Sequence, residues 1–310
     1  MKLYKALFSG MIASLIFTSC IDTGAEELID FTPFIPTNDT TYVDLDTLSK
    51  VTPQDKNVLI EDFTGVKCSN CPDAAKKIKD IKEKHPGRVV SLGIYSGADV
   101  FTVPKKDYSK YEFRTQDGNN IAALLGASGN LPEGSVDRVF FPGEPAITTN
   151  RFVWGGNTDI RLQESSPLNI DVSVQRHDED SLIFIARVIY HTEISDDANF
   201  INVYLAEDGI VDYQYDIIEG DIKDYKHDHV FRDNLTATGG DSLVVSGNSN
   251  PYVAGRVFQR RFVVPVKKDQ TDEEFKTGWK YEKLSVVAFV TRRRADDFEV
   301  IHVIEKKFAE

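Results

Sequence analysis

Cysteine is scarce in this chain. Three of its 310 residues are cysteines, and two of them, Cys68 and Cys71, lie three positions apart. A structural zinc site needs four ligands, and this pair supplies only two of them. We therefore predict no bound metal, which leaves the pair to serve as a disulfide or as reactive thiols.

Long apolar runs are also missing. Beyond the first 20 residues no segment approaches 18 consecutive apolar residues, so the sequence predicts no membrane-spanning helix there. Asp and Glu number 49 against 36 Lys and Arg, which gives a formal net charge of −13. This charge argues against nucleic acid and against anionic lipid headgroups as partners.

The motifs of several enzyme classes are absent as well. The sequence contains no Gly-rich phosphate loop, no Gly-x-Ser-x-Gly and no His-Glu-x-x-His. Hydrolase and nucleotide-dependent functions therefore have no support, and we predict no cofactor.

The N-terminus is typical of a bacterial lipoprotein signal. Residues 1–5 are basic, residues 6–17 are apolar, and Thr18-Ser19-Cys20 follows. We predict that residues 1–19 are a signal peptide and that Cys20 carries the lipid anchor. The alternatives are an ordinary secretory signal and an N-terminal membrane anchor. The lipoprotein signal places the protein outside the cytoplasm, where a disulfide can persist.

Residues 20–50 are acidic and rich in Thr and Pro, which predicts a tether between the lipid and the folded body. Within it, residues 41–46 alternate between polar and apolar and could add a strand to the body. Glu26 and Glu27 follow closely behind Cys20, and such acids favour display on the cell surface over the periplasmic face.

Residues 51–160 predict a first domain with a strand–helix–strand rhythm. The helix begins at Pro72, a residue suited to a first helical turn, and ends at His85-Pro86-Gly87. The predicted elements are a strand at 57–63, a helix at 72–84, a strand at 89–95, a helix at 119–125 and a hairpin with strands at 135–141 and 146–152.

Residues 161–310 predict a second, all-β domain, with the boundary near 159–166. Apolar and polar residues alternate along most of its segments, and few helical patterns interrupt them. Strands are predicted at 168–174, 182–190, 200–205, 256–266, 284–291 and 300–305. Such strands, separated by Asp, Gly and Asn turns, are typical of an antiparallel β-sandwich.

The first domain resembles thioredoxin. Cys68-Ser69-Asn70-Cys71 stands where the redox pair of that family stands, and Asp62 has the spacing of its buried acid, six residues before the first cysteine. Residues 126–132 resemble the segment that carries the family's cis-proline, which implies a cis bond before Pro132. The resemblance implies an α/β thioredoxin-like domain, followed here by the antiparallel sandwich.

The whole mature chain is similar to a second family, the outer-membrane lipoproteins of Bacteroidetes named for a twenty-eight-kilodalton outer-membrane protein. The similarity rests on residues 61–72, on residues 226–232 and on Gly239-Gly240. It implies a thioredoxin-like domain, a β-sandwich and a lipid anchor at the outer membrane.

Two interpretations of the cysteine pair stay open. In a redox enzyme Cys68 would attack as the thiolate, Cys71 would resolve the mixed disulfide, and Asp62 would accept a proton. Pro132 would then present backbone to a bound peptide, as the resemblance implies. In the other interpretation the pair is a structural disulfide that staples the start of the helix to the preceding loop.

A second candidate site lies at residues 213–229. His227 and His229 would share one face of an extended segment, and Tyr213 and Tyr215 precede them. The two histidines and Asp228 between them could offer ligands to a metal, and the tyrosines could bind a sugar or a peptide. The alternative is that the histidines hydrogen-bond within the fold and the tyrosines are half-buried under loops.

Two functions follow from these observations. The first is a binding or accessory lipoprotein of the outer membrane, with the thioredoxin-like domain as a scaffold. Its partner would be a nutrient-uptake receptor complex, another protein, a peptide or a glycan. The second is an extracytoplasmic thiol–disulfide oxidoreductase that uses Cys68 and Cys71.

Overall fold

A computed structural model describes residues 41–44, 51–97, 100–176, 181–195, 198–244, 250–269, 274–294 and 298–308. The predicted signal peptide (1–19), the lipidation site Cys20 and all of the tether except residues 41–44 lie outside these ranges. Those four residues form a strand, as the alternation in the sequence indicated.

The described residues form fifteen strands and three α-helices. The strands are β1 Thr41–Asp44, β2 Val58–Thr64, β3 Val89–Tyr95, β4 Glu133–Val136, β5 Thr149–Asn150, β6 Leu168–Arg176, β7 Ser181–Tyr190, β8 Ala198–Glu207, β9 Ile210–Asp216, β10 Gly220–His227, β11 Val230–Asn234, β12 Asp241–Ser242, β13 Arg256–Pro265, β14 Leu284–Arg293 and β15 Val300–Lys307. The helices are α1 Cys71–Lys84, α2 Gln116–Leu125 and α3 Trp154–Arg161.

The strand–helix–strand arrangement around the cysteine pair is confirmed. Strands β2 and β3 are parallel, in register from Val58 opposite Val89 to Thr64 opposite Tyr95. Helix α1 joins them and buries Ala74, Ile78 and Ile81. Parallel strands need such a crossover, and the apolar stripe on the helix covers the sheet.

Helix α2 begins three residues before the predicted start. The side chain of Thr115 accepts a hydrogen bond from the Gly118 backbone N–H at 2.9 Å, and this cap satisfies a donor in the first turn. Gly126 ends the helix with a φ of 66°, a left-handed conformation that favours glycine.

The second half contains the expected packing of sheet on sheet. Strands β1, β13, β7 and β6 form one antiparallel sheet, in the order β1-β13-β7-β6. Its inner side chains meet those of β8 and β14 in one hydrophobic cluster, with Phe184, Val203 and Val286 among the members. Alternation along each strand explains this, because successive side chains point to opposite faces.

The two halves share a sheet, which the sequence did not indicate. A nine-stranded sheet has the order β15-β14-β8-β11-β3-β2-β4-β5, with β12 also paired to β8. The link is β11, which pairs antiparallel with β8 and parallel with β3, where Val230 lies opposite Gly93. The sheet therefore continues across the boundary expected near 159–166, and the division into separate domains stays a prediction.

The predicted hairpin at 135–141 and 146–152 is wrong in extent. The antiparallel pair is limited to β4 and the two-residue β5. Asp137 and Arg138 have φ values of 51° and 54°, so the backbone leaves the extended conformation directly after β4. Their side chains turn into the protein to form ion pairs. Helix α3 and strands β9, β10 and β11 were also missed.

Buried ion pairs connect β2, β4 and the C-terminal strands. Arg138 forms two hydrogen bonds to the Glu61 carboxylate, at 2.8 and 2.6 Å, and a third to the Tyr204 hydroxyl on β8 at 3.0 Å. Asp137 lies 2.8 Å from Lys56 and 2.9 Å from Arg161. Charges so deeply buried are tolerated because each has a partner and further hydrogen bonds.

Gly134 lies where β2, β4 and Trp154 meet, and we expect Gly134→Ala to destabilise the fold by about 1–3 kcal/mol through overpacking. An added Cβ would stand 2.5 Å from the Glu61 carbonyl oxygen and 2.7 Å from the Trp154 ring. The control is Gly155→Ala in α3, where the nearest atom is 3.8 Å away. Urea unfolding should show a loss of stability in the first variant and none in the second.

Candidate functional site

The cysteine pair lies at the turn between β2 and α1. Cys68 and Cys71 form a disulfide, and each is 3% exposed. The turn needs glycine at Gly65, because a Cβ there would stand 2.5 Å from the Phe101 carbonyl oxygen. On the same side, the Lys67 backbone N–H donates to that oxygen at 2.9 Å.

The antiparallel ribbon of β9 and β10 covers the other side of this turn. Backbone N–H groups of Tyr215 and Ile217 donate to the carbonyl oxygens of Val66 and Ser69, at 2.8 and 3.0 Å. The side-chain amide of Gln214, which is itself buried, donates to the Cys68 carbonyl oxygen at 3.2 Å. The disulfide is thus held between the 100–102 segment and a ribbon that the sequence did not predict.

A cavity of about 600 Å³ opens between α1 and the end of β10. Its floor is the sheet surface under the helix, where Asp62 and Thr64 of β2 lie beside Ser91 and Gly93 of β3. Small and polar residues replace the large apolar ones that normally pack under a helix, and the space is left between the two layers.

Asp62 is the most unusual group of this floor. It is 5% exposed, and no donor in the described part of the chain bonds its Oδ1 atom. Burial raises the pKa of Asp62 to about 8, against a smaller opposing effect of the Arg151 charge. The carboxyl group is therefore mostly protonated at neutral pH. Cys71 lines the same cavity, as the spacing of Asp62 suggested.

His227 and His229 both line the cavity, but their contacts differ. His227 is buried, with Nδ1 2.9 Å from the Tyr95 hydroxyl and Nε2 3.3 Å from the Tyr213 carbonyl oxygen. Burial lowers the pKa of His227 to about 4, so the ring is neutral at physiological pH. His229 points to a different set of groups.

His229 belongs to a cluster with Asp208 and Glu305, whose ligand atoms all lie within 4.8 Å of one another. These three residues could hold a cation. However, Lys82 Nζ lies 2.9 Å from His229 Nε2, and Lys307 Nζ lies 3.9 Å from Asp208. The ammonium groups already balance the carboxylates, so the cluster is explained as an ion-pair network.

The two predicted tyrosines lie outside the cavity. Tyr213 is 1% exposed, and its hydroxyl donates to Asp221 at 2.6 Å and lies 3.2 Å from Lys105 Nζ, so its ring offers little open surface. Tyr215 is 39% exposed and lies beside the disulfide turn. Tyr225 lines the cavity instead. Tyr225 belongs to the same segment, residues 213–229, but was not among the side chains predicted to bind.

Pro132 is buried, and the Leu131–Pro132 peptide bond is cis. The next residue, Glu133, begins β4 and pairs with Phe63 of β2. The segment therefore runs beside the strand that leads into the disulfide turn. The structure brings Asp62, Cys71, His227 and His229 together around one cavity, with Pro132 on the neighbouring strand connection.

Comparison with solved structures supports the β-rich fold. HBP35 of Porphyromonas gingivalis is similar in structure, with a TM-score of 0.58 and 17% identity over 82% of this chain and 75% of that one. A protein from Agrobacterium tumefaciens matches with a TM-score of 0.46 and 12% identity, over 84% of this chain and 97% of its own. No curated protein matches the chain.

A domain of the outer membrane lipoprotein Omp28 from Porphyromonas gingivalis also matches. It covers 46% of this chain and 88% of its own length, with 17% identity and a TM-score of 0.28. At these identities, and with the other two TM-scores below 0.5, the likeness to HBP35 alone supports the β-rich fold, and none of the three indicates an activity.

The family model gives the clearest result. None of the helices in the described residues is long and apolar enough to cross a membrane. The model of the outer membrane protein Omp28 matches residues 120–310, which is more than half of the chain and includes the β9–β10 ribbon over the disulfide and strands β6, β7 and β13 of the four-stranded sheet. The chain therefore belongs to the Omp28 family of outer membrane proteins.

Proposed function

We propose that the chain is an outer-membrane lipoprotein, anchored through Cys20, that acts as a binding or accessory module. Residues 51–160 form a thioredoxin-like scaffold in this proposal, and the Cys68–Cys71 disulfide is structural. The observation that carries it is the cover over the disulfide, where both cysteines are 3% exposed under the β9–β10 ribbon. Family membership supports the outer-membrane location.

The ribbon over the disulfide hinders thiol–disulfide exchange, because this reaction begins when a thiolate approaches one sulfur of the disulfide. A protein substrate would have to displace the ribbon, which is held by the Tyr215 and Ile217 backbone N–H groups and by the Gln214 side chain. A binding module needs no such opening. On this side of the turn, the second half of the chain therefore covers the disulfide.

A surface for a partner is available next to the same turn. Ile217 and Ile218, between β9 and β10, are 64% and 90% exposed. Adjacent apolar side chains in open solvent are typical of protein contacts. A nutrient-uptake receptor complex in the outer membrane is the partner we favour, with display on the cell surface.

One observation favours the alternative, a thiol–disulfide oxidoreductase. Asp62 is buried beside the cavity that Cys71 lines, and burial raises its pKa to about 8, near the value that suits proton transfer at neutral pH. In that function Cys68 would attack, Cys71 would resolve the mixed disulfide and Asp62 would take up the proton. Pro132 would contact the bound peptide.

The reduction potential of the pair separates the two functions. We expect a value below about −300 mV on the folded protein, as for structural disulfides that resist glutathione. Thiol trapping in glutathione buffers measures this reduction potential. The same titration in urea, where the ribbon no longer covers the disulfide, is the control. A potential between about −270 and −120 mV, the range of thioredoxin-type oxidoreductases, would favour the enzyme.

The double variant Cys68→Ser/Cys71→Ser tests the scaffold directly. We expect a folded protein that retains its partner in crosslinked outer membranes, because the backbone bonds to the ribbon do not need the disulfide. Circular dichroism and quantitative recovery of the crosslinked partner are the measurements. Loss of the partner from a folded variant would contradict the scaffold role.

A further inference from the structure

The cavity between α1 and β10 has the features of a small-molecule site. Its volume of about 600 Å³ lies within the roughly 300–1,000 Å³ of known ligand pockets. It is formed by both halves of the chain, since α1, β2 and β3 face Tyr225 and His227 of β10. Ile217 and Ile218, the surface proposed for a protein partner, do not line it, so the site goes beyond the proposed accessory function.

The floor of the cavity contains an unsatisfied polar group. Asp62 Oδ1 has no hydrogen-bond partner within the described residues, although the residue is only 5% exposed. A buried polar atom in this state costs free energy, and a ligand that bonds it would recover that cost. Because burial keeps the carboxyl mostly protonated at neutral pH, it offers a hydrogen bond to an oxygen of the ligand.

Gly93 explains why the floor is open. It lies opposite Asp62 on β3, where a Cβ would meet nothing closer than the His229 carbonyl oxygen and the Thr64 methyl group, both at 3.8 Å. The backbone there is not left-handed, so the glycine is not needed for conformation. Its missing side chain leaves room above the sheet.

The mouth of the cavity is positively charged. Lys76, Lys79, Lys82 and Lys226 line it together with two acids, Glu83 and Asp228. Lys79 lies 3.8 Å from Glu83, Lys226 lies 2.9 Å from Asp228, and Lys82 belongs to the network of Asp208 and Glu305, so Lys76 supplies the excess of positive charge at the mouth, on a chain whose net charge is −13. This local reversal of sign attracts anions to the cavity.

We propose that the cavity binds a small organic anion. Its acidic group would meet the lysines at the mouth, its apolar body would lie against Ile78 and Tyr225, and an oxygen would accept a hydrogen bond from the Asp62 carboxyl. The carboxylates of metabolites and the phosphates or sulfates of larger amphiphiles share this chemistry. The walls of the cavity would give apolar contact, and the lysines at the mouth and Asp62 on the floor would fix the orientation of the ligand.

Anilinonaphthalene sulfonate is a suitable probe, because it joins an apolar ring system to an anionic group and fluoresces in apolar sites. Phenylnaphthylamine has the same rings without the sulfonate and is the matched neutral probe. We expect the sulfonate to bind the purified full-length protein with one site per chain, and about tenfold more tightly than the neutral probe. Equal affinities would overturn the charge assignment.

Two double variants on α1 distinguish the effect of charge at the mouth of the cavity from the effect of general surface charge. Lys76→Gln/Lys79→Gln should weaken sulfonate binding about tenfold and leave the neutral probe unaffected. Lys77→Gln/Lys84→Gln changes the net charge equally, on residues that do not line the cavity. Equal losses from both pairs would overturn the site.

Filling the cavity should abolish binding of both probes. Gly93→Leu extends a side chain from the floor, and Ala75→Trp, at an exposed position of α1, blocks the mouth without touching the core. If the first variant fails to fold by circular dichroism, the second decides. Unchanged probe affinity in a folded blocking variant would refute the proposal.

The pH dependence of probe affinity tests the contact with Asp62 on the floor of the cavity. Affinity for the sulfonate should fall as the pH rises from about 7 to about 9, because ionised Asp62 places a negative charge in the cavity. The other groups facing Asp62 are Tyr95, Tyr225, His227 and Arg151. Burial lowers the pKa of His227 to about 4 and raises the pKa of both tyrosines, so none of these three changes charge in this range.

Lys82 needs a separate control, because burial lowers its pKa and its loss of charge would also weaken anion binding. Asp62→Asn keeps the shape of the floor and Lys82, and removes the titration of the carboxyl. We expect a shallower decline in that variant, which keeps only the contribution of Lys82. The same decline with pH in both proteins would show that Asp62 does not contact the ligand.

Discussion

Replacing Asp62 with asparagine should raise the free energy of unfolding by roughly 5 kcal/mol at about pH 8, and by almost nothing at about pH 4. Burial raises the pKa of Asp62 from 3.8 to about 8. Between these values the folded chain holds a proton that the unfolded chain has released. The wild-type protein therefore loses stability as the pH rises from about 4 to about 8, and asparagine removes this loss.

Urea unfolding gives the free energy of unfolding of both proteins at each pH in this range. The effect is the difference between the two proteins in how steeply this free energy changes with pH. Asp80→Asn is the matched control, because it replaces a carboxylate on the exposed side of α1 that does not line the cavity. A parallel pair of stability curves for the wild type and Asp62→Asn would contradict the burial of a neutral carboxyl. A stabilising substitution at a cavity-lining residue would indicate that the aspartate is kept for a function.

Arg138→Met should destabilise the fold by about 3–5 kcal/mol, because it leaves the buried Glu61 carboxylate without its cation. Both side chains of the pair are 0% exposed, and their closest atoms are 2.6 Å apart. The Arg138 guanidinium also donates to Tyr204, so the variant leaves the hydroxyl on β8 without this donor.

The double variant Glu61→Met/Arg138→Met should recover much of this loss, since apolar side chains of similar size replace buried ion pairs at little cost. A double-mutant cycle from urea unfolding gives the coupling between the two residues. Lys79→Gln is the control, because its pair with Glu83 is exposed and contributes about 0.5 kcal/mol or less. A loss of similar size in Arg138→Met and in this control would contradict a buried pair.

The periodicity of apolar residues in the sequence was sufficient to predict most of the helices and strands. Strands β2, β3, β6, β7, β13, β14 and β15 and helix α1 fall within a few residues of their predicted positions, because their apolar residues follow a period of two or a helical stripe. The cysteine spacing located the disulfide, and the spacing of Asp62 placed it beside Cys71.

The missed elements lack such periodic signals. Strands β9 and β10 form a two-stranded sheet of their own, and β10 has mostly exposed or half-buried residues that do not alternate with a core. Helix α3 contains Gly155 and Gly156, which disfavour helix. The cavity is closed by β9 and β10, so local patterns in the sequence could identify Asp62 and His227 but not the cavity between them.

The shared sheet has a consequence for how the chain reaches its folded state. Lys56 donates to the carbonyl oxygens of Val300 and Ile301, and β3 finds one of its neighbours in β11, well over a hundred residues further along. Contacts between residues so far apart in the sequence form late in folding and slow the search for the native topology. When the chain emerges from its N-terminus, β3 has an unpaired strand edge and the disulfide turn lacks the β9–β10 ribbon. Until β11 arrives, that edge is open to aggregation and to chaperones.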